Sequence, residues 1–163
     1  IEYIQKGYKS KNIEYHNKIV SNKDGIGEIH IPIILNEKIF GKSSVNKLFS
    51  KYEKRKVSSI SIDSFTKINN LDSSVLSIIK IDAEGHELDI IKGAIEFLKK
   101  GRFLLLIEIE ERHNQKFKEV FDILSSLNFK IYIEENGNFK FLNSKKIVYE
   151  KMKTNNNFFF KNF

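Results

Sequence analysis

The clearest hydrophobic pattern lies in the middle of the chain. Residues 75–82, VLSIIKID, form an apolar, β-branched run of strand length. Residues 87–100, ELDIIKGAIEFLKK, follow at once, and Leu88, Ile91, Ala94, Ile95 and Leu98 recur at the spacing of one helical stripe. Glu87 and Asp89 sit in the first turn of that predicted helix and Lys99 and Lys100 in its last, which complements the helix dipole. Residues 103–109, FLLLIEI, predict a second apolar strand. A second helix is predicted over about 114–127, with Phe117, Val120, Phe121, Leu124 and Leu127 on one face. Strand, helix and strand with short connections make a βαβ unit. Both strands are nearly continuous in apolar residues, the pattern of parallel strands covered on two faces.

The flanks are weaker. Residues 1–11 are polar with sparse apolar positions and read as the tail of a helix. Residues 12–20, NIEYHNKIV, suit a strand, and Ser21 to Gly25 carries a turn signal. Asp24-Gly25-Ile-Gly27-Glu28 has two glycines, but His30 stands where a dinucleotide fingerprint wants the third. It leads into a strand rather than a helix and is read as a hairpin turn. That strand, residues 28–35, places Ile29, Ile31 and Ile33 on one face. Pro32, the only proline, cannot donate to a ladder and predicts an edge position. Residues 36–56 read as loop with a short helix and residues 57–62 as a strand, with Asp63-Ser64 capping a short helix over 64–70. Near the end, Asn136-Gly137 between two alternating runs, Phe129 to Glu135 and Asn138 to Leu142, signals a β-hairpin. The tail, residues 151–163, is biased in composition, and its pattern leaves docking and fraying both open.

Composition bounds the function. The 163 residues suit one domain, and 40% hydrophobic with 12% aromatic residues is enough for a core. The absence of cysteine excludes a disulfide framework, a thiolate zinc site and a cysteine nucleophile. No apolar run approaches the roughly 20 residues of a membrane helix, and no signal segment opens the sequence. The default reading is a soluble, cytoplasmic protein. The formal charge is 28 − 21 = +7. Only Arg55, Arg102 and Arg112 are arginine, the better reader of phosphates and bases, and the lysines are spread out. We therefore read the charge as a solvated lysine face and expect no nucleic-acid partner. The chain begins with Ile1 rather than Met, which reads as processing, trimming or an incomplete start.

In open parallel sheets, ligands bind beyond the carboxyl ends of the strands. After the first strong strand comes Lys80-Ile-Asp82-Ala-Glu84-Gly85-His86-Glu87, and after the second Glu108-Ile-Glu110-Glu111-Arg112-His113. Four or more carboxylates thus converge at one sheet edge. A lysine in a buried strand needs a partner, and Asp82 is the nearest for Lys80. Such carboxylates can take a proton from a hydroxyl, orient it, or bind a divalent cation. Equally, acids at helix starts cap helices and pair with lysines. His16, His30, His86 and His113 show no metal-ligand spacing, so no metal site is assigned. His86 alone stands beside the acidic loop.

The segment Ile79-Lys-Ile-Asp-Ala-Glu-Gly-His-Glu-Leu-Asp-Ile-Ile-Lys-Gly-Ala94 resembles the signature of FkbM-type methyltransferases, which use S-adenosylmethionine. The matching positions are Lys80, Asp82, Glu84, Gly85, Glu87, Lys92, Gly93 and Ala94. Leu105-Leu-Ile-Glu108-Ile109 resembles the family's next strand, and Ile19-Val-Ser-Asn-Lys-Asp-Gly25 its third-strand turn. Ser43-Ser44 and Ile62-Asp63-Ser64-Phe65 resemble later landmarks. The similarity spans about residues 12–142.

The resemblance implies an α/β, Rossmann-like class I methyltransferase fold, a mostly parallel sheet with a terminal antiparallel hairpin, incomplete at the N-terminus. Residues 1–150 form the partial domain and 151–163 the tail. The family's first strand, its glycine-rich loop and a second strand ending in an acidic residue do not appear. An N-terminally truncated sequence and a cofactor-less remnant are the two explanations, and stable cofactor binding is not expected from these residues alone. For the intact protein the implied function is O-methyl transfer from S-adenosylmethionine to a hydroxyl on a sugar, glycolipid or other small metabolite. Asp82 and Glu84 are expected to face the acceptor, with Glu108 secondary, because all three lie past strand ends. By resemblance, Ser21 and Asn22 meet the adenine edge of the cofactor. The competing reading is a non-catalytic module, either methyltransferase-like or a basic nucleic-acid binder.

Overall fold

A computed structural model describes residues 13–47, 49–113 and 116–163. The helix tail expected over residues 1–11 lies outside the described residues.

The described chain builds two sheets. The first is four-stranded, in the order β1-β4-β2-β3, from β1 (Ile19–Val20), β2 (Gly25–Ile34), β3 (Glu37–Lys38) and β4 (Tyr52–Ile60). The second is five-stranded, in the order β5-β6-β9-β7-β8, from β5 (Ser77–Ile81), β6 (Phe103–Glu108), β7 (Lys130–Glu135), β8 (Asn138–Leu142) and β9 (Asn157–Lys161). Five helices intervene: α1 (Ile62–Ile68), α2 (Glu87–Lys92), α3 (Ile95–Leu98), α4 (Phe117–Ser126) and α5 (Lys145–Lys151).

The βαβ unit is present, with β5 and β6 parallel and in register from Ser77 opposite Phe103 to Ile81 opposite Ile107. The predicted long helix is two short ones, α2 and α3, broken at Gly93-Ala94. Its stripe still faces the core: Leu88, Ile91, Ala94 and Leu98 are buried, while Ile95 is half-buried. They pack with Phe117, Val120, Phe121 and Leu124 of α4 against one face of the five-stranded sheet. Phe103, Leu105 and Ile107 of β6 and Phe158 and Phe160 of β9 are fully buried there. Alternation along each strand sends these residues to one face only. The other face of β5 is open, with Ile78 72% exposed, so burial on both faces is not observed among the described residues.

The expectation of a mostly parallel sheet is corrected. Among the described residues, β5–β6 in the large sheet and β1–β4 in the small one pair in parallel, and the other pairings are antiparallel. The cause is β9. Residues of the tail enter between β6 and β7, antiparallel to both, because alternating Phe158 and Phe160 fill the slot above α4. The strands β5, β6 and β7 nevertheless run the same way. The terminal hairpin is present: Asn136 and Gly137 both have positive φ, 52° and 78°, as a two-residue turn of the primed type requires. Helix α5, capped by the Ser144 hydroxyl at the Ile147 amide, has no counterpart in the sequence reading.

The small sheet departs further. β2 pairs with β4 over Gly25 to Pro32, so Gly25 and Gly27 lie within a strand and not in a hairpin turn. β1 and β2 flank β4 on opposite sides, and the turn between them spans residues 21–24. Pro32 is not on an edge strand: β2 is internal, with β3 beyond it, and the Pro32 carbonyl accepts from the Ile39 amide. β4 extends back to Tyr52 through residues read as loop. Its charged run is held by cross-strand ion pairs such as Lys54 with Glu28 at 2.6 Å, not by apolar alternation. Ser61, not Asp63, caps α1. The Asp63 carboxylate instead accepts from the Glu96 and Phe97 amides at the start of α3.

Candidate active site

Parallel pairing puts the carboxyl ends of β5 and β6 at one edge of the sheet, and the acidic residues follow there. Asp82, Glu84, Glu108 and Glu110 surround a shallow depression whose remaining walls are Gly85, Glu87 and His113. The expected convergence of carboxylates is therefore observed. Asp82 receives the Lys80 ammonium at 2.7 Å, so the anticipated pair forms, although Lys80 is exposed rather than buried. The same contact holds the Lys80 pKa above its ordinary value.

Glu84 stands at φ +47°, in the left-handed region, and Gly85 follows at +90°. That pair of residues turns the chain sharply between β5 and α2. A Cβ on Gly85 would also lie 2.4 Å from the His113 carbonyl oxygen, so glycine is required by both conformation and space. The Gly85 amide donates to Glu87 Oε1 at 2.8 Å, which binds the buried Glu87 carboxylate into the start of α2. On the other side, the Ser44 hydroxyl donates to the Glu84 carbonyl at 3.1 Å.

His113 joins the two loops. Its Nδ1 lies 3.0 Å from Glu84 Oε2 and 3.2 Å from Glu110 Oε2. Glu110 is further held by Arg112, which keeps its carboxyl below the usual range, and by the Asn156 amide at 2.8 Å. Glu108 is the opposite case. Its pKa is raised, first by desolvation and then by the Asp82, Glu110 and Glu84 charges and a hydrogen bond with Asp82. A carboxyl raised by its neighbours is a better proton acceptor than a free one. Among the described residues no group of three or more His, Cys, Asp or Glu side chains is arranged to hold a metal ion.

Next to this depression lies a cleft of about 440 Å³ between the small sheet and β5. Its walls include Lys18, Ile19 and Val20 of the β1 region, Ser43 and Ser44, Ile79 to Ala83, and His86. Asp82 borders both the cleft and the acidic depression. A volume of this size, mostly apolar with a few polar groups, falls within the range of small-molecule sites.

Ser21 and Asn22 lie at the end of β1, and both side chains are engaged with α2. Ser21 Oγ is 3.1 Å from His86 Nε2, and the Asn22 amide donates to Asp89 Oδ1 at 2.9 Å. His86 is 7% exposed, and its Nδ1 is 3.4 Å from Asp89 Oδ2. Burial lowers its pKa, against the opposing pull of Asp89 and Glu87. Sequence reasoning missed His113 and Asp89. Their partners are 29 and 67 positions away respectively, Glu84 and Asn22, and no local spacing could reveal such pairs.

A family model described as the methyltransferase FkbM domain matches residues 3–131. No curated protein and no solved structure matches the chain. The family model covers most of the sequence, including β5, the acidic loop, α2 and β6. The chain belongs to the FkbM methyltransferase family.

Proposed function

We propose that the protein transfers a methyl group from S-adenosylmethionine to a hydroxyl of a small molecule or glycan, such as a sugar or glycolipid. The observation that carries this reading is the Asp82–Glu108 carboxyl pair at the ends of β5 and β6, of which Asp82 also borders a cleft of about 440 Å³. The cleft has the size and mixed lining that suit the cofactor, and in this reading the purine lies toward Ile19 and Val20, next to the Ser21–Asn22 turn, and the methionine end toward Asp82. The cofactor supplies an activated methyl group, so the protein's task is to align an acceptor oxygen and remove its proton. In this reading Glu108 takes the proton, since its carboxyl is the one held above the ordinary range. Asp82, fixed by Lys80, and Glu84, fixed by His113, orient the acceptor hydroxyl. The fold to which these residues belong is read as the later part of a Rossmann-like sheet, in which β5, β6 and β7 share a direction.

The test is transfer of labelled methyl from S-adenosylmethionine by the full-length protein to a panel of sugars, glycolipids and small alcohols. Wild type is expected to label at least one acceptor. Glu108→Gln and Asp82→Asn are each expected to lower turnover by about a hundredfold or more, the range of a general base and its orienting partner. Wild-type turnover in both variants would overturn the assignment.

A further inference from the structure

We propose that His86, Asp89 and Gly93 are positioning residues, which seat the Ser21–Asn22 turn against α2 and thereby place Ile19 and Val20, just before the turn, as one wall of the cofactor cleft. This rests on the methyl-transfer reading above. The three residues fall at i, i+3 and i+7: His86 caps the start of α2, Asp89 lies within it and Gly93 caps its end. Each touches the turn or a residue that does. His86 Nε2 is 3.1 Å from Ser21 Oγ, and Asp89 holds both the other ring nitrogen of His86 and the Asn22 amide. At the far end of α2, a Cβ on Gly93 would lie 2.1 Å from the Ser21 carbonyl oxygen and 3.0 Å from Asn22 Cα. Gly93 has an ordinary φ of −82°, so space and not conformation demands glycine there.

These contacts assign a role to His86 that differs from proton transfer. With a carboxylate beside Nδ1, the ring keeps its proton on that nitrogen and Nε2 accepts from the Ser21 hydroxyl. Both nitrogens are thereby occupied, and the ring forms part of the cleft wall. The groups facing it are Asp89 and Glu87 from the helix it caps and Ser21 from the turn, with Lys18, Lys80 and Asp82 on the same cleft. The three residues therefore act on the placement of the turn, and a lesion in any of them should weaken cofactor binding more than it slows the chemical step.

The experiment is calorimetric titration of the full-length protein with S-adenosylhomocysteine, with thermal melting of each variant alongside. His86→Ala is expected to weaken binding about tenfold, the effect of one lost buried hydrogen bond. His86→Gln, which restores a polar group, should recover part of that loss. Gly93→Ala should weaken binding more, because the Ser21 carbonyl must move. In turnover assays KM for S-adenosylmethionine should rise while kcat holds. Should His86→Ala melt out, His86→Gln and Asp89→Ala carry the same comparison. Folded His86→Ala and Asp89→Ala variants that bind like wild type would overturn the seat and leave methyl transfer standing. Unchanged binding with a large fall in kcat would move His86 into the chemistry and overturn the positioning role. Failure of wild type itself to bind would overturn the methyl-transfer reading and this proposal with it.

Discussion

Glu108 and Glu110 lie two residues apart, yet the structure gives them opposite electrostatic surroundings, which makes a paired substitution informative. The Glu108 carboxyl is raised above the ordinary glutamate pKa by desolvation and by Asp82, Glu110 and Glu84. Its ionised form is therefore disfavoured in the folded protein relative to the unfolded chain. That penalty is fully present above the folded pKa and vanishes below the unfolded one. Glu108→Gln keeps the shape and can donate to Asp82, so near neutral pH it should stabilise the fold. The site is largely open to solvent, so the repulsion is screened and the gain should be about 0.5 kcal/mol. For a chain of this length that is roughly 1–2 °C in Tm. Glu110 is lowered by Arg112 and contributes stability above its unfolded pKa, lost as pH falls through the folded one. Glu110→Gln should accordingly lower Tm near neutral pH. Scanning calorimetry near neutral pH and again well below the carboxylate range is the assay. The two variants should bracket wild type at neutral pH and converge with it in acid. A Glu108→Gln variant that melts below wild type near neutral pH, or a gap that persists in acid, would refute the reasoning.

Two further outcomes follow from the packing. His86 has a pKa lowered from 6.5 by burial, so the folded state resists its protonation; stability should fall as pH drops from its unfolded value toward its folded one, and His86→Gln should flatten that slope in urea titrations at several pH values. Phe160 is fully buried in β9, opposite Leu105 and Ile131 and 5.7 Å from the Phe121 ring; Phe160→Ala should cost about 3–5 kcal/mol by chemical denaturation, and a loss much below that range would mean that the C-terminal strand is not part of the core.

Most of the large sheet was legible in both strands and connections, whereas in the small one the strands over 12–20, 28–35 and 57–62 were anticipated but β3, the first half of β4 and the pairing were not, for a physical reason. β6, α2 and α4 bury a continuous apolar stripe, and such stripes leave a period that can be read directly. β4 is held by Lys54 paired with Glu28 and Glu53 paired with Lys38 on other strands, and by Arg55 paired with Glu53 along β4 itself, so its first half carried mostly charge. β9 was hidden because Asn157 to Lys161 acquires a partner on each side only when residues 103–108 and 130–135 are already folded. At the site, the convergence of Asp82, Glu84, Glu108 and Glu110 was legible because βαβ geometry places strand ends together. The Glu84–His113–Glu110 bridge and the Ser21–His86–Asp89–Asn22 contacts were not, since each joins segments far apart in the chain. Ser21 and Asn22 were singled out by resemblance alone, and their side chains turn out to engage α2.

The central claim is that the cleft beside β5 receives S-adenosylmethionine and presents its methyl group to the Asp82–Glu108 pair. A crystal structure of the full-length protein with S-adenosylhomocysteine tests this most directly. The account predicts that the purine lies against Ile19 and Val20, next to the Ser21–Asn22 turn, and the thioether sulfur on the Asp82 side of the cleft, facing Glu108. Density for the ligand elsewhere on the protein, with the cleft unchanged, would contradict it.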